Sequence, residues 1–217
     1  MDLTQFTPSS ALVTVILLAL APFVAVMVTS FTKIVVVLSL LRNALGLQQV
    51  PPNLVLNGLA LVLSIYVMLP VGQAMMVQVS GMNNIAGSTN TLLAAADAAK
   101  EPLREFLIKH AEPRERAFFL NTARKTLSAE GAAELTDRDF IVIVPAFTVS
   151  ELAVAFQIAF LIFLPFIVID LVVSNILMAM GMMMLSPTTV SLPFKLLLFV
   201  LVDGLVKLAH GLVLSYQ

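Results

Sequence analysis

The chain of 217 residues is 59% hydrophobic and 12% charged, with a mean hydropathy of +1.01, where globular domains run about 45–50% apolar and about 25% charged. A soluble enzyme and a disordered chain are excluded, since both need far more polar surface, and 12 Lys and Arg against 13 Asp and Glu leave no basic excess for nucleic acid. The composition is that of an integral membrane protein; with no Cys and only two histidines, His110 and His210, no metal centre or cofactor is expected.

The first apolar run, Ala11 to Val28, holds 18 residues without a charge and continues past Lys33 to Leu41. About 20 apolar residues span a hydrocarbon core, so the run qualifies as a membrane segment. A secretory signal fits it poorly, because Asp2 and no Lys or Arg precede it. The stretch from Arg42 to Asn53 interrupts the pattern, since the Pro51-Pro52 pair cannot continue a helix. A second apolar run follows from Leu54 to Val79, with Pro70 inside it, and the Gly-, Ser- and Asn-rich stretch Ser80 to Asn90 reads as a loop.

Of the 25 charged residues, 17 fall between Gly81 and Phe140, eight basic and nine acidic. This polar insert reads as helical. Pro102 and Pro113 each suit a first helical turn, where a missing N–H is no loss, and Leu103, Phe106 and Leu107 form a stripe that needs a partner surface. Two further apolar runs, Leu152 to Leu185 and Val190 to Leu214, are separated by the turn Ser186-Pro187-Thr188-Thr189. The first has 34 residues, roughly 50 Å as a straight helix at about 1.5 Å per residue, against a bilayer core of about 30 Å. Either Pro165 breaks it or it does not lie across lipid in the ordinary way. The expected architecture is an all-α membrane protein with four long hydrophobic helical segments. They form one hairpin in residues 1–80 and a second in 141–217, with the helical insert 81–140 between them.

Six charges interrupt the apolar segments: Lys33, Glu151, Asp170, Lys195, Asp203 and Lys207. A charge at mid-bilayer costs about 2.5–3.5 kcal/mol even on the lenient insertion scale, so such residues face protein or water. Asp203 and Lys207 are four apart with the acid first, the better order for a helical pair. One reading is a proton or ion relay. The other, favoured by the balance of three acids and three bases, is a set of buried pairs that fix helix and subunit packing. Catalytic signatures are absent: there is no HExxH, GxSxG, P-loop or GxGxxG pattern, and nothing in the sequence brings Glu151 and Asp170 together as an acid–base pair. Gln157 and Asn175 are as suited to interhelical hydrogen bonds as to a ligand. No enzyme activity is expected.

Five of the 11 methionines lie within seven residues, at Met178, Met180, Met182, Met183 and Met184. Met is unbranched and polarizable and adapts to whatever presses on it. The run serves equally as core filler or, beside Gly181 and the Ser186-Pro187 turn, as a loop projecting into a lumen.

Four ordered blocks carry a family resemblance. Arg42-Asn43-Ala44-Leu45-Gly46 with Gln48, Gln49, Pro51, Pro52 and Asn53 resembles the signature loop of the FliP/SctR family of export-apparatus proteins, found in bacterial flagella and type III secretion injectisomes. Pro145 to Leu152 followed by Ala155-Phe156-Gln157-Ile158 resembles a second block. Met180 to Pro187 resembles a third, and Leu192-Pro193-Phe194-Lys195 through Val202-Asp203-Gly204 a fourth. Only the insert lacks a recognised motif. Ala159 stands where Gly is usual and Leu205 where an aromatic is common, departures that touch local packing.

The resemblance implies a homo-oligomer, a pentamer, assembled with FliQ/SctS-type and FliR/SctT-type membrane subunits in the bacterial inner membrane and projecting toward the periplasm. Such a gate passes unfolded protein substrates, driven by an associated ATPase complex and the proton-motive force. In such a gate Met182, Met183 and Met184, uncharged and flexible, are expected to form a channel gasket. The injectisome branch is favoured over the flagellar one, whose members usually begin with a cleavable signal. The family places the insert in the periplasm, whereas its eight basic residues would place it in the cytoplasm by the positive-inside bias, a weak rule for loops of about 60 residues. The alternative function is a small-solute or ion transporter using the intramembrane charges.

Overall fold

A computed structural model describes residues 8–80, 89–127 and 129–217. These residues form helices throughout: α1 (Pro8–Met27), α2 (Phe31–Ala44), α3 (Asn53–Ser80), α4 (Thr89–His110), α5 (Pro113–Thr126), α6 (Ala129–Glu134), α7 (Phe140–Ala179), α8 (Pro187–Leu201) and α9 (Gly204–Leu214). The all-α expectation is met. By length and composition α3 and α7 can cross a membrane, and the bent pair α8–α9 makes a third span if taken as one.

The N-terminal apolar run is two helices rather than one. It breaks at Val28–Ser30, where hydroxyl groups take up the backbone groups that the break frees. Thr32 Oγ1 donates to the Val26 carbonyl at 2.9 Å, Thr148 Oγ1 of α7 reaches the Met27 carbonyl at 3.3 Å, and the Phe31 N–H donates to Thr29 Oγ1 at 3.4 Å. Ser30 is fully buried and donates to Ser64 Oγ of α3 at 3.0 Å, pinning the break to the neighbouring helix. The last apolar run is also divided: α8 and α9 meet at a 58° bend. Asp203 occupies the left-handed region there, with φ 51°, a conformation that the short polar side chain of Asp tolerates.

α7 runs for 40 residues straight through Pro145 and Pro165, about 60 Å at about 1.5 Å per residue. Pro165 therefore does not break it. Pro113 starts α5 as expected, but Pro102 lies inside α4 rather than at a helix start. Packing outweighs the lost hydrogen bond: Phe106 and Leu107, just beyond Pro102, are buried against Ile143 and Phe147 of α7, with Leu103 packed alongside. The stripe has found its partner. The loop expected from Ser80 to Asn90 lies mostly outside the described residues, and Ser80, Thr89 and Asn90 at its ends are helical.

The spine of the fold is α7. α2 packs along it, α3 packs on α2 and α4, and α4 and α5 of the insert lie against the α7 N-terminal half. Three apolar clusters follow in order along the spine. The first joins the insert to α7 through Phe106, Leu107, Ala111, Ile143 and Phe147. The second joins α2, α3, α7 and α9 through Ile34, Leu38, Leu56, Ala155 and Leu212. The third, with Leu41, Leu45 and Phe166, sits under the loop after α2. The outer face of α7, including Phe156, Phe160, Leu161, Val168 and Leu171, is exposed and apolar.

Candidate functional site: two buried ion pairs and a methionine loop

Four of the six charges in apolar segments are brought together, as two pairs. Lys33 of α2 meets Glu151 of α7, with Nζ 3.3 Å from Oε1 and both side chains 3% exposed. Lys195 of α8 meets Asp170 of α7 at 2.7 Å. Each pair is completed by further donors, as a charge in an apolar setting requires. Tyr216 donates its hydroxyl to Glu151 Oε2, and Ser191, fully buried, donates to Asp170 Oδ1. Glu151 and Asp170 are thus held apart, each on its own lysine.

Asp203 and Lys207 do not pair with each other; both are exposed. Asp203 caps α9, its carbonyl accepting from the Lys207 N–H at 3.0 Å, but with its backbone in the left-handed region the two side chains do not form the helical i, i+4 pair.

The signature loop is built from the end of α2. Gly46 has φ 78°, its N–H bonds to the Asn43 carbonyl, and the Leu47 N–H reaches back to Arg42. This is the helix ending for which glycine is preferred, since a Cβ would strain the backbone. Beyond it, Arg42 Nη1 donates to Asn53 Oδ1 at 2.6 Å and to the Pro51 carbonyl at 3.3 Å, tying the start of the loop to its end. Gln48, Gln49 and Pro52 are exposed. Lys195 Nζ also donates to the Ala44 carbonyl at 3.3 Å, placing a cation at the α2 C-terminus. One lysine thereby links the signature loop to the α7–α8 hairpin.

That hairpin carries the methionines. Gly181, with φ 74°, ends α7 by the same device as Gly46: its N–H bonds to the Met178 carbonyl and the Met182 N–H to Leu177. Pro187 then opens α8. Between them the chain turns outward, and Met183 and Met184 are 84% and 100% exposed, with Met182 also exposed. Within the chain, these three side chains fill no core. Two polar participants were not singled out from the sequence, Tyr216 and Ser191. Neither carries a charge or a motif, and their acceptors lie 65 and 21 residues away.

A family model described as FliP family matches residues 13–212. The chain is 53% identical to the hypersensitivity response secretion protein HrcR of Ralstonia nicotianae, over 96% of this chain and 97% of that protein. It is 52% identical to the Yop proteins translocation protein R of Yersinia pestis, over 92% of each. With the flagellar biosynthetic protein FliP of Bacillus subtilis it shares 42%, over 91% of this chain and 87% of the relative.

Proposed function

The chain belongs to the FliP family, and from that membership we propose that it is a subunit of a type III secretion export gate. It forms part of the channel that passes unfolded proteins across the bacterial inner membrane. The observation that carries this reading is the match, over nearly the whole chain, to relatives named for secretion and translocation. The lower identity to the flagellar relative supports the injectisome branch.

The gate is a homo-oligomer, a pentamer, joined by FliQ/SctS-type and FliR/SctT-type subunits. The exposed apolar faces of α3 and α7 support an assembly that covers them. Four hydrophobic segments, in residues 1–80 and 141–217, form the membrane-derived body, and the insert 81–140 lies on the periplasmic side. The ion pairs Lys33–Glu151 and Lys195–Asp170 fix helix packing, and Asp203 and Lys207, exposed in the single chain, find partners at subunit contacts. The pairing leaves Lys33, Glu151, Asp170 and Lys195 poorly suited to a relay.

Met182, Met183 and Met184, repeated around the channel axis, form the gasket that closes it at rest. Met side chains have three rotatable bonds and no charge, so they exclude water yet mould around a passing chain, whereas a charged ring would stay wet. The test is to replace all three with Ala and measure ion conductance across the membrane of cells that assemble the complex. Normal assembly with a leak is the expected result. Normal assembly with a membrane that stays tight removes the gasket role, and loss of assembly with no leak returns the methionines to packing.

A further inference from the structure

Tyr216 lies in the turn after α9 and meets side chains from α2, α4 and α7 at once. Its hydroxyl donates to Glu151 of α7. Lys33 Nζ of α2 stands over its ring, 3.6 Å from the centroid, close enough for a cation–π contact. The ring also stacks on Phe106 of α4 at 5.9 Å between centroids and meets His110 edge-to-face at 5.0 Å. The following carbonyl, of Gln217, accepts from Lys109 Nζ at 3.1 Å. Tyr216 is 7% exposed, as deeply placed as the core residues around it.

The other side of α4 packs on α3, through Val67, Met68 and Val71. Between it and α3 is an open cleft of about 920 Å³, lined by Tyr66, Pro70, Ala74, Pro102 and Glu105, with Tyr216 closing one wall. Beyond α4, α5 packs along α7, and between the two insert helices the Glu112 N–H donates to Ser150 Oγ of α7 at 2.9 Å. α4 is thus held by apolar packing on α3 and α7, and one aromatic side chain, Tyr216, bridges it to the buried Lys33–Glu151 pair.

We propose that Tyr216 is a strap that fastens α4, and with it the insert, onto the Lys33–Glu151 pair, so that the insert leaves the two hairpins only when Tyr216 leaves its seat. The strap uses two separable grips: the hydroxyl on Glu151 and the contacts of the ring with Lys33 and Phe106. Ala111, 4% exposed and in the same cluster as Tyr216, reports on the junction. The chain has no native Cys, so Ala111→Cys introduces a single thiol whose maleimide labelling rate reads how often the junction opens.

The measurement uses the full chain in membranes, assembled with its secretion partners. Labelling is slow in the Ala111→Cys parent. Adding Tyr216→Ala removes both grips and raises the rate by at least about a hundredfold, since a hydrogen bond to a charged group alone sets about tenfold to a hundredfold. Tyr216→Phe keeps the ring and gives a smaller rise. Leu212→Ala, which empties a buried α9 position in the neighbouring cluster, leaves the rate within about twofold because it does not touch the junction. Equal rates in the parent and Tyr216→Ala overturn the proposal, and so does an equal rise from Leu212→Ala. Where Tyr216→Ala does not accumulate, Tyr216→Phe decides: an unchanged rate overturns the strap and a faster one supports it.

Discussion

Lys33 and Glu151 are a pair that neither partner can leave. Both are almost completely buried in contact with each other, and Tyr216 supplies the second donor to the carboxylate. Lys33→Met alone strands the Glu151 charge, and the expected loss is about 3–5 kcal/mol, as for any buried pair broken on one side. The double change Lys33→Met with Glu151→Leu removes both charges and recovers most of that loss. Thermal unfolding of the detergent-extracted protein checks it, and a double variant no better than the single one refutes the assignment. His110 behaves differently because its setting favours the neutral ring. Burial, and after it the charges of Lys109 and Lys33, lower its pKa to about 4, while in the unfolded chain it lies near about 6.5. Between those values the unfolded state binds the extra proton, so the fold loses stability as the pH falls from about 6.5 to about 4. Discounted for partial solvent exposure, the effect is about 1–2 kcal/mol. His110→Leu removes this slope from melting curves taken across the window; an unchanged slope assigns it elsewhere. The charges at these positions were legible in the sequence, because a lysine or acid in an apolar run demands a partner. The identity of each partner was not, since Lys33 and Glu151 are 118 residues apart.

At the scale of the helices, the helix ends are written in glycine and the breaks in hydroxyls. Gly46 and Gly181 end α2 and α7 by the same left-handed turn; the first lies in a stretch the Pro pair marked as a break, whereas the apolar run to Leu185 masked the second. The break at Val28–Ser30 was masked as well. Thr29 and Ser30 are tolerated within helices, and only the reach of Ser30 to α3, and that of Thr148 to α1, settles the matter. The bend at Val202–Gly204 was hidden because Asp203 within it reads equally as a helical partner of Lys207, four residues on. Gly204 is required there by space. A Cβ at this position meets the Phe199 ring at 2.3 Å and the Phe199 carbonyl at 3.0 Å. Gly204→Ala is expected to cost about 1–3 kcal/mol, as for overpacking, with partial rescue by Phe199→Leu, which shortens the opposing side chain. Melting temperatures of the single and double variants test it, and a neutral Gly204→Ala shows that the bend opens freely.

For the molecule as a whole, the surface is that of a membrane protein. Leu, Val and Phe cover much of the outside, and the Lys33–Glu151 pair lies inside an otherwise apolar core. The composition made that class legible at once, and the concentration of charge in residues 81–140 marked the insert. Sequence did not reveal that the insert shares a core with α7, because the stripe Leu103, Phe106 and Leu107 names a need for a partner and not the partner. The side of the membrane that the insert faces is tested at Thr126, exposed at the end of α5. Thr126→Cys is expected to react with a membrane-impermeant maleimide in intact spheroplasts. Protection until lysis reverses the topology.

The length of α7 has a consequence for the cell. Its span of about 60 Å is about twice the hydrocarbon thickness of about 30 Å, yet its outer face is apolar along most of that distance. Lipid accommodates about half of such a face and water accommodates the rest badly, so only other polypeptides can shield the remainder. A copy made in excess of its companions carries a permanently unshielded flank. The expected fate of such surplus chains is proteolytic removal, which ties the steady level of this protein to the supply of the subunits that surround it.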